Sequence, residues 1–258
     1  MIYNPSITQY ERTEAFELQV ARGMITGHKS LFKFGNNPDI NGSLETIWSG
    51  STLYVYPSAA IQMSVSSSSV DDAAAGTGAR TVSVQGLDAD YNEIAETVTL
   101  NGQNAVTTTN SFLRVFRAFV ITAGSTNTAQ GTIYIGTGTV TGGVPATVYA
   151  EIALGENQTT MAVWTVPANY TLYLYRGTFT ATSNNASHSI LGKFMIRPLG
   201  GVFRNAADVT VNNGAVPYDF EVPLAIPEKT DIEARAIALT GSNFYTTASF
   251  EGIYIRNT

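Results

Sequence analysis

The chain has 258 residues, no cysteine, 14 Lys and Arg against 20 Asp and Glu, and a formal net charge of -6. Without cysteine there is no disulfide, thiolate-held metal or thiol nucleophile, and the fold rests on packing and backbone pairing. The basic residues are scattered through an acidic chain, which argues against a nucleic-acid partner, since phosphate binding needs clustered Lys and Arg.

Charged residues are 13% of the chain, about half the usual ~25%. Thr, Ser, Asn and Gly take their place, so the surface is wetted by hydroxyls and amides. The length suits one large β domain or two of about 100 residues each, enough to bury a core. No segment approaches the ~20 apolar residues that span a bilayer; residues 116–123 form a short apolar run that carries Arg117. The start, Met1-Ile2-Tyr3-Asn4-Pro5, lacks the basic patch and apolar stretch of a signal peptide, so synthesis in a cytoplasm and no membrane partner are expected.

Taken in order, residues 1–57 read as an N-terminal arm or adaptor. Within it Phe16, Leu18 and Val20 alternate with polar residues and predict a strand. Phe16 and Val20 also fit helical spacing, but period two accounts for one more apolar residue, and Gly23 ends the run either way. Gly35-Asn36-Asn37-Pro38-Asp39 has turn chemistry. Leu44, Ile47, Trp48, Leu53, Tyr54, Val55 and Tyr56 then form an apolar and aromatic cluster. An arm this rich in aromatics is expected to pack on its own body or on a neighbouring subunit, with Phe16, Trp48, Tyr54 and Tyr56 as the assembly contacts.

Residues 58–155 read as a first antiparallel β-sandwich, immunoglobulin-like or jelly-roll-like, with strands near 60–66, 80–87, 93–100, 111–122, 132–136 and 144–154. At its centre, Val82 and Val84 alternate with Thr81, Ser83 and Gln85, and Ile94, Val98 and Leu100 share a face of the next segment. Between them Asp88-Ala89-Asp90-Tyr91-Asn92 carries turn residues, so the stretch predicts a hairpin. Residues 156–258 read as a second sandwich, with strands near 160–166, 171–178, 190–197, 202–211, 218–224, 230–239 and 249–256. Short strands divided by turns, without crossover helices, indicate this class. Pro223, late in a run, marks an edge strand, and the last strand ties the chain end into a sheet.

No motif carries a reaction. Asp88, Asp90 and Asn92 open like a calcium loop, but Glu93 stands where glycine is needed and Thr99 where a bidentate carboxylate belongs. The glycine-rich residues 136–143 lack the Lys-Ser/Thr and helix start of a phosphate cradle and read as a surface loop. The histidines, His28 and His188, have no nucleophile elbow or metal-ligand spacing around them. Acidic pairs of a glycosidase type can be found in any chain with this many carboxylates. No catalytic, cofactor-binding or metal residues are therefore expected. Trp164 with Tyr170, Tyr173 and Tyr175 could line a glycan- or partner-binding face, or serve the core and a subunit contact.

Several stretches together resemble a family of virion structural proteins of tailed bacteriophages, notably marine and cyanobacterial ones. They are Gly76-Thr77-Gly78-Ala79-Arg80-Thr81-Val82, Gly86-Leu87-Asp88, Tyr91-Asn92-Glu93 and Glu96-Thr97-Val98-Thr99-Leu100-Asn101-Gly102. Gly155-Glu156-Asn157-Gln158-Thr159, Met161, Trp164-Thr165-Val166-Pro167 and Tyr170 add a later segment, and Phe16 to Gly23 with Gly27-His28 an earlier one. The resemblance implies a component of the virus particle more than it implies a job. With no catalytic motif in the chain, the expectation is a non-enzymatic protein on the particle exterior, as capsid decoration or, alternatively, as a tail or baseplate appendage that binds a receptor or host surface glycan. The partners it implies are other virion proteins, of capsid or tail, and further copies of the chain.

Overall fold

A computed structural model describes residues 14–258; the first part of the expected arm, residues 1–13, lies outside the described residues. The fold is all-β, as the alternating patterns predict, with one short helix, α1 (Phe16–Ala21), among the described residues. Four small antiparallel sheets succeed one another, a layout like the blades of a four-bladed propeller. Their buried side chains gather in two cores.

The first sheet is ordered β1 (His28–Ile40), β16 (Phe244–Arg256), β11 (Tyr170–Thr182), β14 (Gly214–Ile226). The second is ordered β10 (Val163–Thr165), β15 (Asp231–Thr240), β12 (Ser189–Arg197), β13 (Arg204–Val211), with β2 (Glu45–Thr46) also on β15. Leu172, Leu174, Phe179 and Phe250 of the first sheet share a core with Ile190, Phe194, Ile232 and Ala234 of the second. In β11 the core-facing parity changes from Leu172 and Leu174 to Phe179 and Ala181. A bulge at Tyr175 causes this, since one extra residue flips every side chain after it to the other face. Pro217 and Pro223 lie in β14, at the sheet edge where a missing N–H is tolerated.

The third sheet is ordered β6 (Val106–Phe112), β3 (Ile61–Ser67), β8 (Ile133–Thr141), β9 (Val144–Ile152). The fourth is ordered β5 (Glu93–Thr99), β4 (Ala79–Leu87), β7 (Arg114–Ala123). They enclose the second core, with Met63, Val65, Ile133 and Ile135 from one and Val82, Val84, Val98 and Val115 from the other. The hairpin expected at the centre of the chain is β4 and β5, paired Val82 to Val98. Its turn is closed by Asp88, whose Oδ1 accepts the backbone N–H of Asp90 at 2.9 Å and of Asn92 at 2.8 Å, so that carboxylate serves its own turn. The buried carboxylate of Asp72 accepts from the N–H groups of Ala79, Gln130 and Gly131 and from the Ser67 hydroxyl, binding these segments together.

Three sequence expectations change. The strand expected over Phe16, Leu18 and Val20 is helix α1: Phe16 and Leu18 are exposed and Val20 alone is buried, so no two-sided strand pattern is used. Its residues Glu, Leu, Gln and Ala favour helix. Gly23, with φ 70°, ends it as a left-handed cap, its N–H bonding Val20 O while Met24 N–H bonds Gln19 O. Residues 136–143 are not a loop but the end of β8 and its turn into β9, made by Gly142 and Gly143, both at positive φ. The expected turn at residues 35–39 lies within β1, as a bulge between Asn37 and Ile40. Residues 14–57 accordingly do not stand apart as an arm: β1 pairs with β16 from His28↔Ile255 to Ile40↔Phe244, and Trp48 and Tyr54 lie in the second core.

Candidate functional site at the seam between the cores

Strand β15 reads Asp231-Ile232-Glu233-Ala234-Arg235-Ala236, and the alternation separates two jobs. Ile232, Ala234 and Ala236 face the first core, while Asp231 and Glu233 are buried all the same, under residues that belong with the second core. Charges out of water need partners. Asp231 Oδ1 accepts Arg114 Nε at 2.7 Å and Thr165 Oγ1 at 2.7 Å. Its Oδ2 accepts Arg114 Nη2 at 3.1 Å and Arg197 Nη2 at 2.6 Å. Arg114 lies on β7, so this bidentate pair joins the two halves of the molecule. Burial opposes its charge, but the bond and the charge of Asp231 outweigh burial and hold the guanidinium above its ordinary range. Glu233 Oε2 accepts Thr46 Oγ1 at 2.8 Å and Arg235 Nε at 2.7 Å.

Aromatic rings wrap this cluster. Arg197 lies over Tyr56 at 4.4 Å and Phe203 at 4.6 Å, and Arg235 over Phe203 at 4.1 Å. The Tyr56 phenol is pushed up by burial and then by the carboxylates of Glu233 and Asp231, so it stays protonated. Tyr54 is raised for the same first reason and donates its hydroxyl to Val115 O at 3.1 Å. Arg114 meets Asp231 across the seam, while Arg197 and Arg235 meet Asp231 and Glu233 within the second sheet.

A cleft of about 420 Å³ opens elsewhere along the seam, between β1 and β7. Its walls include Leu31, Phe32, Lys33 and Phe34 of β1, Phe116 and Arg117 of β7, and Trp164 and Tyr254 behind them. The rings form a chain, Phe116 to Trp164 at 6.3 Å and Trp164 to Tyr254 at 5.3 Å. Lys33 is buried, donates Nζ to the carbonyl oxygen of Phe116 and lies over that residue's ring at 5.9 Å. Burial, and then the Arg117 guanidinium, push its ammonium down to about 7. The nearby carboxylate of Glu93 is occupied: it accepts Lys29 Nζ and the Tyr254 hydroxyl. Lys29 is held above its ordinary range because Glu93 outweighs the effect of burial.

The residues expected to act together are dispersed. Of the assembly contacts, Phe16 is 46% exposed, whereas Trp48 (4%) and Tyr54 (5%) fill the second core and Tyr56 lies half-buried in the seam. Three of the four are therefore unavailable as an aromatic docking arm. On the expected glycan face, Trp164 is 2% exposed and Tyr170 packs against the first core; Tyr173 faces outward, and Tyr175 sits in the bulge. These side chains form no common face, because β10 directs Trp164 inward and the bulge interrupts the alternation of β11. His28 lies on β1, and His188 shares a 2.8 Å hydrogen bond with Ser183 in a loop. Sequence reading missed Lys33, Arg114, Asp231 and Glu233. The available signal was a charged residue at a core-facing position of an alternating strand, as with Lys33 two residues after Leu31.

No family model matches the chain, and no curated protein matches it. Among solved structures, it is similar to the infectious bursal disease virus VP2 subviral particle, with 10% identity, 90% of this chain and 72% of that chain covered, and a TM-score of 0.25. The T=1 particles derived from infectious bursal virus give 11% identity, 90% and 70% coverage, and a TM-score of 0.23. Superpositions at these scores carry no argument about what the chain does.

Proposed function

We propose that the chain is a non-enzymatic structural protein of a tailed-phage virion, two β-sandwiches joined at a polar seam and carried on the particle exterior as capsid decoration. It is made in the host cytoplasm and assembles with other virion proteins and further copies of itself; the reading includes no cofactor, metal, nucleic acid or membrane. The observation that carries it is the outer face of the first sheet. There Phe32 (62% exposed), Phe34, Tyr173 and Tyr245 stand open on strands whose opposite face fills a core. An open aromatic face on a chain with few charges suits a protein that is covered by neighbours. The sequence resemblance supports the same reading, as does the use of Arg114 on Asp231 to tie the halves together.

A second reading, a tail or baseplate appendage that binds a receptor or glycan, is favoured by the cleft beside Lys33. Stoichiometry separates the two. Quantitative mass spectrometry of purified virions should count hundreds of copies per particle for decoration; a few multiples of three or six would support the tail reading.

A further inference from the structure

We infer that the free edge of β1 at residues 30–34, beside Lys33 and Arg117, is a strand-addition site for an extended acidic segment of a partner protein. The inference deepens the proposed structural role by giving the chemistry of one partner contact, and it rests on that reading.

Strand β1 is the outermost strand of its sheet, paired only with β16. Backbone groups on its other edge over residues 30–34 have no backbone partner beyond the ladder among the described residues, and the cleft lies along them. An added strand satisfies such groups and sends alternate side chains to opposite faces. On one face it meets Leu31 and Lys33, on the other Phe32 and Phe34.

Charge complementarity selects the occupant. Among the described residues Lys33 has only the Phe116 carbonyl as a hydrogen-bond partner and no ion pair. Arg117 stacks over Phe119 at 5.1 Å and also forms none. The carboxylate within the cleft, Glu93, is taken by Lys29 and Tyr254. A glutamate or aspartate opposite Lys33 supplies the missing counter-charge, while a neutral strand buries the ammonium further without one. Apolar residues on the other side of the incoming strand cover Phe32 and Phe34. An inward lysine on an edge strand also blocks indiscriminate pairing, so the same residue excludes neutral strands and admits acidic ones.

The test uses the full chain and a short fluorescent peptide of alternating threonine and valine with one central glutamate, alongside its glutamine counterpart. Fluorescence anisotropy at neutral pH should show the glutamate peptide binding at least about tenfold more tightly. Hydrogen exchange should slow at the amides of residues 30–34. Lys33→Met should erase the preference between the peptides. Equal affinity for both peptides, or binding that leaves residues 30–34 unprotected, would overturn the inference. So would displacement by free glucuronate, which would make the cleft a small-anion site. Self-association of the Lys33→Met protein, with no peptide bound by the unsubstituted chain, would leave Lys33 an edge blocker only. None of these outcomes changes the copy number in virions, which tests the structural role separately.

Discussion

Lys33 has an ordinary ammonium value of 10.5 that folding lowers to about 7, through burial first and the Arg117 guanidinium second. Glu93, Lys29 and Tyr254 are the other titratable groups at the cleft, and they are engaged with one another. Between pH 7 and 10.5 the unfolded chain holds a proton here that the folded chain releases, so this residue's contribution to stability rises with pH across that window. Below it the folded protein carries a buried ammonium, at a cost on the order of 5 kcal/mol. Lys33→Met should therefore stabilise the protein by a few kcal/mol at and below neutral pH, with the gain fading toward pH 10.5. Urea unfolding at a series of pH values measures this; a pH-independent difference would show that the lysine is hydrated when folded. Lys33 was not legible as a site residue, because Phe32 and Phe34 flank it and give the stretch an apolar look on the wrong face.

Strands with regular alternation were legible element by element. The central hairpin, the edge position of Pro223 and the closing strand all follow from period-two patterning and turn chemistry. Strand β1 was hidden, because its core-facing positions after Leu31 are Lys33, Gly35 and Asn37. Asn37 is buried by bonding Glu45 and the Thr46 carbonyl, and its side-chain oxygen accepts from the Asp39 N–H. Its companions Gly35, Pro38 and Asp39 are turn formers anywhere else. The glycines at 142 and 143 were read as part of a loop, although a two-residue turn at positive φ continues a hairpin. Removing residues 1–40 should therefore abolish folding rather than leave a soluble body, since β16 loses one of its two neighbours along most of its length and its first-core side chains are uncovered at that edge. Circular dichroism and solubility of the truncated chain check this; a cooperative, soluble fragment would restore the idea of a detachable arm.

Across the whole molecule, polar ties between the two halves include, among the described residues, two that are buried, Arg114 on Asp231 and Lys33 on the Phe116 carbonyl, and a more exposed one, Lys29 and Tyr254 on Glu93. The seam was invisible in the sequence because β15 reads as an ordinary half-exposed strand, with its charges on the side expected to face water. Breaking a buried pair by removing one partner costs about 3–5 kcal/mol, since the other charge is left uncompensated. Arg114→Ala should cost no more than the lower end of that range, because Arg197 and Thr165 stay on Asp231, and should split one calorimetric transition into two, as the cores unfold separately. A single transition shifted by only a degree or two would mean that the cores are coupled by packing alone. Removing both Arg114 and Asp231 should destabilise less than the sum of the single changes.

At the same scale, low charge and an open aromatic face are what the proposed role, a component covered by its neighbours, calls for. Image reconstruction of purified virions, with the chain's position marked by an antibody fragment against its folded form, tests this most directly. The account predicts repeated density on the outside of the shell, with the face bearing Phe32, Phe34 and Tyr173 turned toward a neighbour. Virions that lack the chain altogether, or that carry it only inside the shell, would contradict it.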